Sequence, residues 1–137
     1  MWRLSLSVLG GVLSCAISTA IAQAPAGNPA ASKMKNPVPS TKESIATGQE
    51  LYELNCLFCH GPEGRGDGPL APPGSMPANL VDDEWKHGSS DGEIFTVIQK
   101  GVGPDFIMPP GSERLSDMEI WNIVNYLRSV GASAGKP

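Results

Sequence analysis

Two cysteines three residues apart, followed at once by a histidine and then by a glycine-rich run, constrain this chain more than any other feature: Asn55 to Pro69 reads NCLFCHGPEGRGDGP. On a helical turn the pair presents both sulfurs to one side, with an imidazole beside them. Thiols at this spacing serve a structural metal site, thiol–disulfide exchange, or covalent attachment of a prosthetic group. Compartment, competing ligands and neighbouring elements decide among these for Cys56, Cys59 and His60.

Compartment is read from the first residues, MWRLSLSVLGGVLSCAISTAIAQA, where Arg3 precedes a long uncharged run that ends in small residues. Ala20-Ile21-Ala22 and Ala22-Gln23-Ala24 both fit the small-x-small cleavage rule of a secretory signal. Residues 1–22 are therefore read as a signal peptide, cut after Ala22 or Ala24, and the mature protein is expected in the periplasm. A retained anchor is the competing reading. Leu4 to Ala22 is 19 residues, barely a spanning length, and is diluted by Ser, Thr and Gly. A lipidated Cys15 is a third reading, but Val12-Leu13-Ser14 matches a lipoprotein box poorly. Cleavage removes Cys15 and leaves Cys56 and Cys59 as the cysteines of the mature chain. The net charge is −4 and becomes one unit more negative when Arg3 leaves. Binding to nucleic acid needs clustered Lys and Arg against phosphate, so that class is excluded.

Residues 23–39, rich in Pro and Ala, read as a flexible leader. The folded domain is expected over 40–131 and a short tail over 132–137. Three helix starts carry a capping-box pattern: Ser40-x-x-Glu43, Ser90-x-x-Glu93 and Ser116-x-x-Glu119. Leu115 and Ile120 flank the last as a hydrophobic staple. Ile45, Gly48, Tyr52, Cys56 and Cys59 form one helical face running into the motif. Ile94, Val97 and Ile98 continue a second helix that Gly101 stops. Ile120, Ile123, Val124, Leu127 and Val130 stripe a third, with Gly131 ending it. A short helical turn is expected around Asp82–Lys86. The fold class is all-α: three main helices, short turns and long Gly/Pro loops. With 16 Gly, 13 Pro and only 6% aromatics, the chain is poor in large side chains for a core. A cofactor filling the middle would supply what is missing.

Zinc needs four Cys or His ligands. The mature chain offers Cys56, Cys59, His60 and His87, and adjacent Cys59 and His60 do not easily share one small ion with Cys56. Redox Cys-x-x-Cys pairs open a helix in an α/β fold, whereas this one follows an amphipathic helix. Haem c suits the residues better: two thiols add to the two vinyl groups and His60 becomes the proximal iron ligand. Export fits, because covalent haem attachment in bacteria occurs beyond the inner membrane. For the other axial site the candidates are Met108, in GVGPDFIMPPG, and His87 or Met76. Met34 lies in the leader, and Met118 reads as helix packing.

From Ser44 to Val130 the chain resembles the class I cytochromes c. Gly48-x-x-x-Tyr52-x-x-x-Cys56-Leu-Phe-Cys59-His60-Gly61 looks like the family's N-terminal helix. Ile123 to Val130, IVNYLRSV, is similar to its C-terminal helix. The resemblance implies the cytochrome c fold around one covalently bound haem, with Ile123 and Tyr126 meeting Gly48 and Tyr52. It implies Met108 of "MPP" as distal ligand. It implies Pro69 as the residue whose carbonyl accepts the His60 Nδ1 proton, and Trp85 as a haem-propionate contact, with Arg65 a weaker one. The insert Ala71 to Gly88 departs from the shortest family members and leaves the haem edge undefined.

The expected function is an exported single-electron carrier and not an enzyme. Two axial ligands would close the iron to substrate, and no acid, base or nucleophile constellation is visible. Expected partners are redox proteins: a dehydrogenase, a bc-type complex, a terminal oxidase or reductase. Two alternatives are a fixed cytochrome subunit of a dehydrogenase or oxidase, and a haem enzyme or sensor with a labile distal ligand.

Overall fold

Cap chemistry sets the helix starts in the computed structural model, which describes residues 27–71, 76–82, 85–103 and 107–133. Helix α1 spans Lys42–Asn55 and begins at Thr41, whose side chain accepts the Ser44 N–H at 3.2 Å. The cap thus lies one residue beyond the expected Ser40, because Thr41 has the extended backbone that aims a hydroxyl at the third helical N–H. A single turn, α2, covers Leu57–His60. Helix α3, Asp91–Lys100, opens on the expected box: Ser90 Oγ accepts the Glu93 N–H and the Glu93 carboxylate accepts the Ser90 N–H. Gly101, at φ +69°, stops it. Helix α4, Asp117–Ser133, starts with the corresponding Ser116–Glu119 pair. It runs past Gly131, which therefore does not terminate it. Single 3-10 turns sit at Ala31–Lys33 and Gly111–Glu113. Among the described residues the β-structure is one isolated bridge, Val102 to Met108. The turn expected near Asp82–Lys86 falls partly outside the described residues.

Helix α1 crosses α4 at a point fixed by one missing side chain. A Cβ on Gly48 would overlap the Asn122 carbonyl and crowd the Tyr126 Cβ at 2.9 Å. Tyr52 and Tyr126 pack one turn along, ring centroids 5.2 Å apart. This is the crossing the sequence pointed to. Ile120, Ile123 and Val124 of α4 are wholly buried there, and Leu115 joins the same core as the staple requires. Helix α3 closes the other side through Phe95 stacked on Trp121, centroids 4.1 Å apart. Gly48→Ala will cost about 2 kcal/mol, since overpacking outweighs the gain in helix propensity. Gly131→Ala, in the same fold, will be neutral or stabilising, because none of the described residues lies within 4 Å of its Cβ position. Urea unfolding of both variants checks this, and equal effects would refute it.

The segment expected to be a flexible leader is docked over its described part, residues 27–39. Ala31 is 2% exposed. Asn28 N–H donates to Glu93 Oε1 at 3.1 Å. Asn36 Nδ2 donates to Asn125 Oδ1 at 2.8 Å and to the Trp121 carbonyl at 3.1 Å. Asn125 Nδ2 donates to Ser44 Oγ and to the Val38 carbonyl, and Ser44 Oγ donates to Asn122 Oδ1. The Ser90 hydroxyl and then the Ser90 N–H hold the Glu93 carboxyl below the usual range; burial opposes them, and the Asn28 N–H adds a smaller lowering. Gly92 makes the docking sterically feasible, since a Cβ there would strike the Ala31 carbonyl and Met34. Pro-rich composition masks this, because the contacts are backbone and amide bonds without periodicity.

Candidate functional site

Three candidate residues lie on one turn because α1 breaks at Cys56 and restarts. Cys56 N–H still donates to the Tyr52 carbonyl at 2.8 Å, while φ −121° turns the chain. The Cys56 carbonyl then accepts the N–H groups of Cys59 at 3.2 Å and His60 at 2.9 Å. Both thiols are free and partly buried. Burial pushes the Cys56 thiol up to about 12, with the nearby Arg114 guanidinium pulling the other way and Cys59 adding to the rise. A thiol at that value stays protonated at neutral pH, which opposes the thiolate chemistry of disulfide exchange. Among the described residues no group of three or more His, Cys, Asp or Glu is placed to hold a metal ion.

His60 is 9% exposed, and burial lowers its pKa, with the Ala78 hydrogen bond opposing. The ring is therefore neutral. Nδ1 lies 3.1 Å from the Ala78 carbonyl oxygen. A carbonyl only accepts, so the proton sits on Nδ1 and Nε2 carries the free lone pair of a ligand. This corrects the expectation for Pro69. The N–H groups on either side of Pro69, those of Gly68 and Leu70, turn back onto the Cys59 and Phe58 carbonyls at 3.1 and 2.8 Å. Pro69 is thereby held at the exposed edge of the motif, and the carbonyl arrives from farther along the inserted loop.

A web of backbone bonds surrounds that contact. Tyr52 Oη donates to the Gly61 carbonyl at 2.7 Å. Gly66 N–H donates to the His60 carbonyl at 2.8 Å, and Leu80 N–H to Gly64 at 2.6 Å. Neither Ala78 nor the Tyr52 hydroxyl was singled out by sequence. A carbonyl has no residue signature, although the glycines at 61, 64 and 66 marked a place of close backbone approach.

The other expected residues sort by burial. Met108 is partly buried against the core and its carbonyl accepts the Val102 N–H at 2.9 Å. Met76 is 90% exposed and Met118 58% exposed. His87 is also exposed. Trp85 packs on the core, but its indole N–H donates to the Asp82 carbonyl at 3.0 Å. The donor expected to serve a propionate is thus committed to the loop itself. Arg65 pairs with Glu63 at 2.8 Å, both side chains exposed. The donor set fits haem c: two free thiols on the His60 turn, an oriented neutral imidazole, and a sheltered thioether on a separate loop.

Residues 43–127 match the family model described as cytochrome c oxidase, cbb3-type, subunit III. The cbb3-type cytochrome c oxidase subunit CcoP of Rhodobacter capsulatus is 31% identical over 100 residues, covering 68% of this chain and 31% of that protein. Subunit FixP of Azorhizobium caulinodans is 32% identical over 93 residues, covering 68% of this chain and 29% of its own. The chain therefore spans about a third of the length of these curated relatives. Among solved structures, a reducing HAO-like protein complex of Kuenenia stuttgartiensis matches with TM-score 0.63 and 30% identity, over 71% of this chain and 49% of that one. Cytochrome CL of Methylophaga aminisulfidivorans matches with TM-score 0.55 and 26% identity, over 69% and 55%.

Proposed function

Because the chain belongs to the cbb3-type cytochrome c oxidase subunit III family, we propose that it is an exported single-haem electron carrier of the periplasm, exchanging electrons with redox proteins and performing no substrate chemistry. Its fold is the all-α cytochrome c fold and its cofactor is haem c. When bound, haem c supplies a one-electron iron couple. Cys56 and Cys59 would attach it, and His60 Nε2 and Met108 Sδ would ligate its iron. The observation that carries the reading is the 3.1 Å contact from His60 Nδ1 to the Ala78 carbonyl. It fixes the tautomer and ring plane that an axial imidazole needs. The buried core and Met108 keep the site apolar, and a thioether favours Fe(II), so the potential is expected to be positive. An absorption spectrum and redox titration of protein made with haem-attachment machinery test the reading. Haem that acid solvent extracts would refute it.

The partner docks, in this reading, where the motif reaches the surface. Phe58 is 53% and Leu70 65% exposed, and they are joined through the Leu70 N–H to Phe58 carbonyl bond. The Cys59 thiol faces the Leu70 carbonyl at 3.8 Å, so this apolar edge adjoins the attachment point. Transient redox encounters use small surfaces of this kind. Phe58→Asp is expected to slow electron transfer with a cognate redox protein about tenfold, the kinetic equivalent of ~1.4 kcal/mol of lost contact. The potential should not move. An unchanged rate would count against docking at this edge.

A second reading, a fixed oxidase subunit, is favoured by the names of the curated relatives. Among the described residues no helix is long and apolar enough to cross a membrane. Purification of the native protein with other subunits at a fixed ratio would select this reading over the free carrier.

A further inference from the structure

His60 is oriented by a carbonyl from a different loop, and that loop must itself be held. Two contacts hold it. Leu80 N–H donates to the Gly64 carbonyl at 2.6 Å. At Gly66, φ +81°, the Pro77 carbonyl oxygen occupies the place a Cβ would take. Gly66 also donates its N–H to the His60 carbonyl at 2.8 Å. One residue therefore binds the backbone of the proximal histidine on one side and lies bare against Pro77 on the other. The next carbonyl after Pro77, that of Ala78, reaches the imidazole.

We propose that Gly66 is a positioning residue for the proximal ligand: its missing side chain lets Pro77–Ala78 close onto the glycine loop, and that approach sets the strength of the Ala78–His60 hydrogen bond. The inference rests on the axial role of His60. A carbonyl on Nδ1–H makes the ring a stronger donor and stabilises Fe(III). Loosening the bond therefore raises the potential.

Gly64 provides a matched comparison within the same loop. Its φ is +72°, so alanine there meets the same left-handed backbone cost. A Cβ at Gly64, however, would find its nearest neighbour, Leu80 Cβ, at an ordinary 3.5 Å. Gly64→Ala reports backbone strain alone, whereas Gly66→Ala reports strain plus the collision with Pro77.

In the haem-loaded protein, Gly66→Ala is expected to raise the reduction potential and to speed solvent exchange of the His60 Nδ1–H about tenfold, as for loss of one ordinary hydrogen bond. Gly64→Ala should leave both near wild type. Equal shifts in the two variants, or none in either, overturn the proposal. If Gly66→Ala does not fold, exchange in the wild type decides. The His60 Nδ1–H should then be protected as well as the Leu80 amide, since one clamp holds both. A ring proton exchanging much faster than that amide overturns the proposal. Failure of the axial reading would be seen separately, as His60 ring resonances without the paramagnetic shift of an iron ligand in the oxidised protein.

Discussion

Met108→Ala will lower the reduction potential by roughly a few hundred millivolts, within the ≈0.8 V over which axial ligands set haem potentials, while the haem stays covalently attached. The methionine–iron charge-transfer band of the oxidised protein will vanish with it. Burial and backbone anchoring single out this residue. Met76, Met118 and Met34 are exposed, whereas Met108 packs against the core. Its backbone is tied on one side by the Val102 N–H, and a Cβ on Gly101 would overlap its carbonyl and crowd Pro110 N at 2.8 Å. That glycine, at φ +69°, ends α3 and lets the Met108 loop lie flat against the helix end. Replacing a thioether by water or hydroxide removes the preference for Fe(II), and the potential falls. A Met108→Ala protein that keeps both the band and its potential would falsify the assignment. His87→Ala, on an exposed residue, should change neither.

Cys56→Ala/Cys59→Ala will release the haem entirely into acidified organic solvent, where the parent protein retains all of it. The double variant should also lose most of its cooperative thermal transition. The described core is built from α1, α3 and α4 around Tyr52, Phe95, Ile120, Trp121 and Val124. The loops carrying Ala78 and Met108 reach it through Leu80, Trp85 and Met108, and a bound cofactor would add to that packing. Either single variant should keep one thioether and an intermediate stability. Calorimetry of the three variants checks the order. A double variant that melts like the parent would show that the protein core suffices.

How much of this was legible depended on whether a side chain or a backbone atom did the work. The turn that brings Cys56, Cys59 and His60 together is visible in the motif, and the helix crossing in Gly48 with Tyr52 and Tyr126. The boxes at Ser90 and Ser116 carry both of their arms in the sequence. The boundary at α1 slipped by one residue because Ser40 and Thr41 are both good caps and only the backbone chooses between them. The family pattern points to Pro69 as the acceptor for His60, but the insert Ala71 to Gly88 displaces it. The working group is the carbonyl of Ala78, which any residue supplies. Gly66 was the available clue, since a left-handed glycine pressed on Pro77 marks where two loops touch. Residues 27–39 read as linker because proline and alanine suggest one, while Asn28, Asn36 and Gly92 carry the docking through amides and an absent side chain.

That docked segment changes the mechanics of any tether. Thirteen free residues, 27–39, would let a domain roam on the order of 45 Å from its attachment. Clipped along α3 and α4, they contribute no slack. Gly27 is held at a fixed point beside Glu93, at the start of α3. The orientation of the Phe58–Leu70 edge relative to Gly27 is therefore set by the fold.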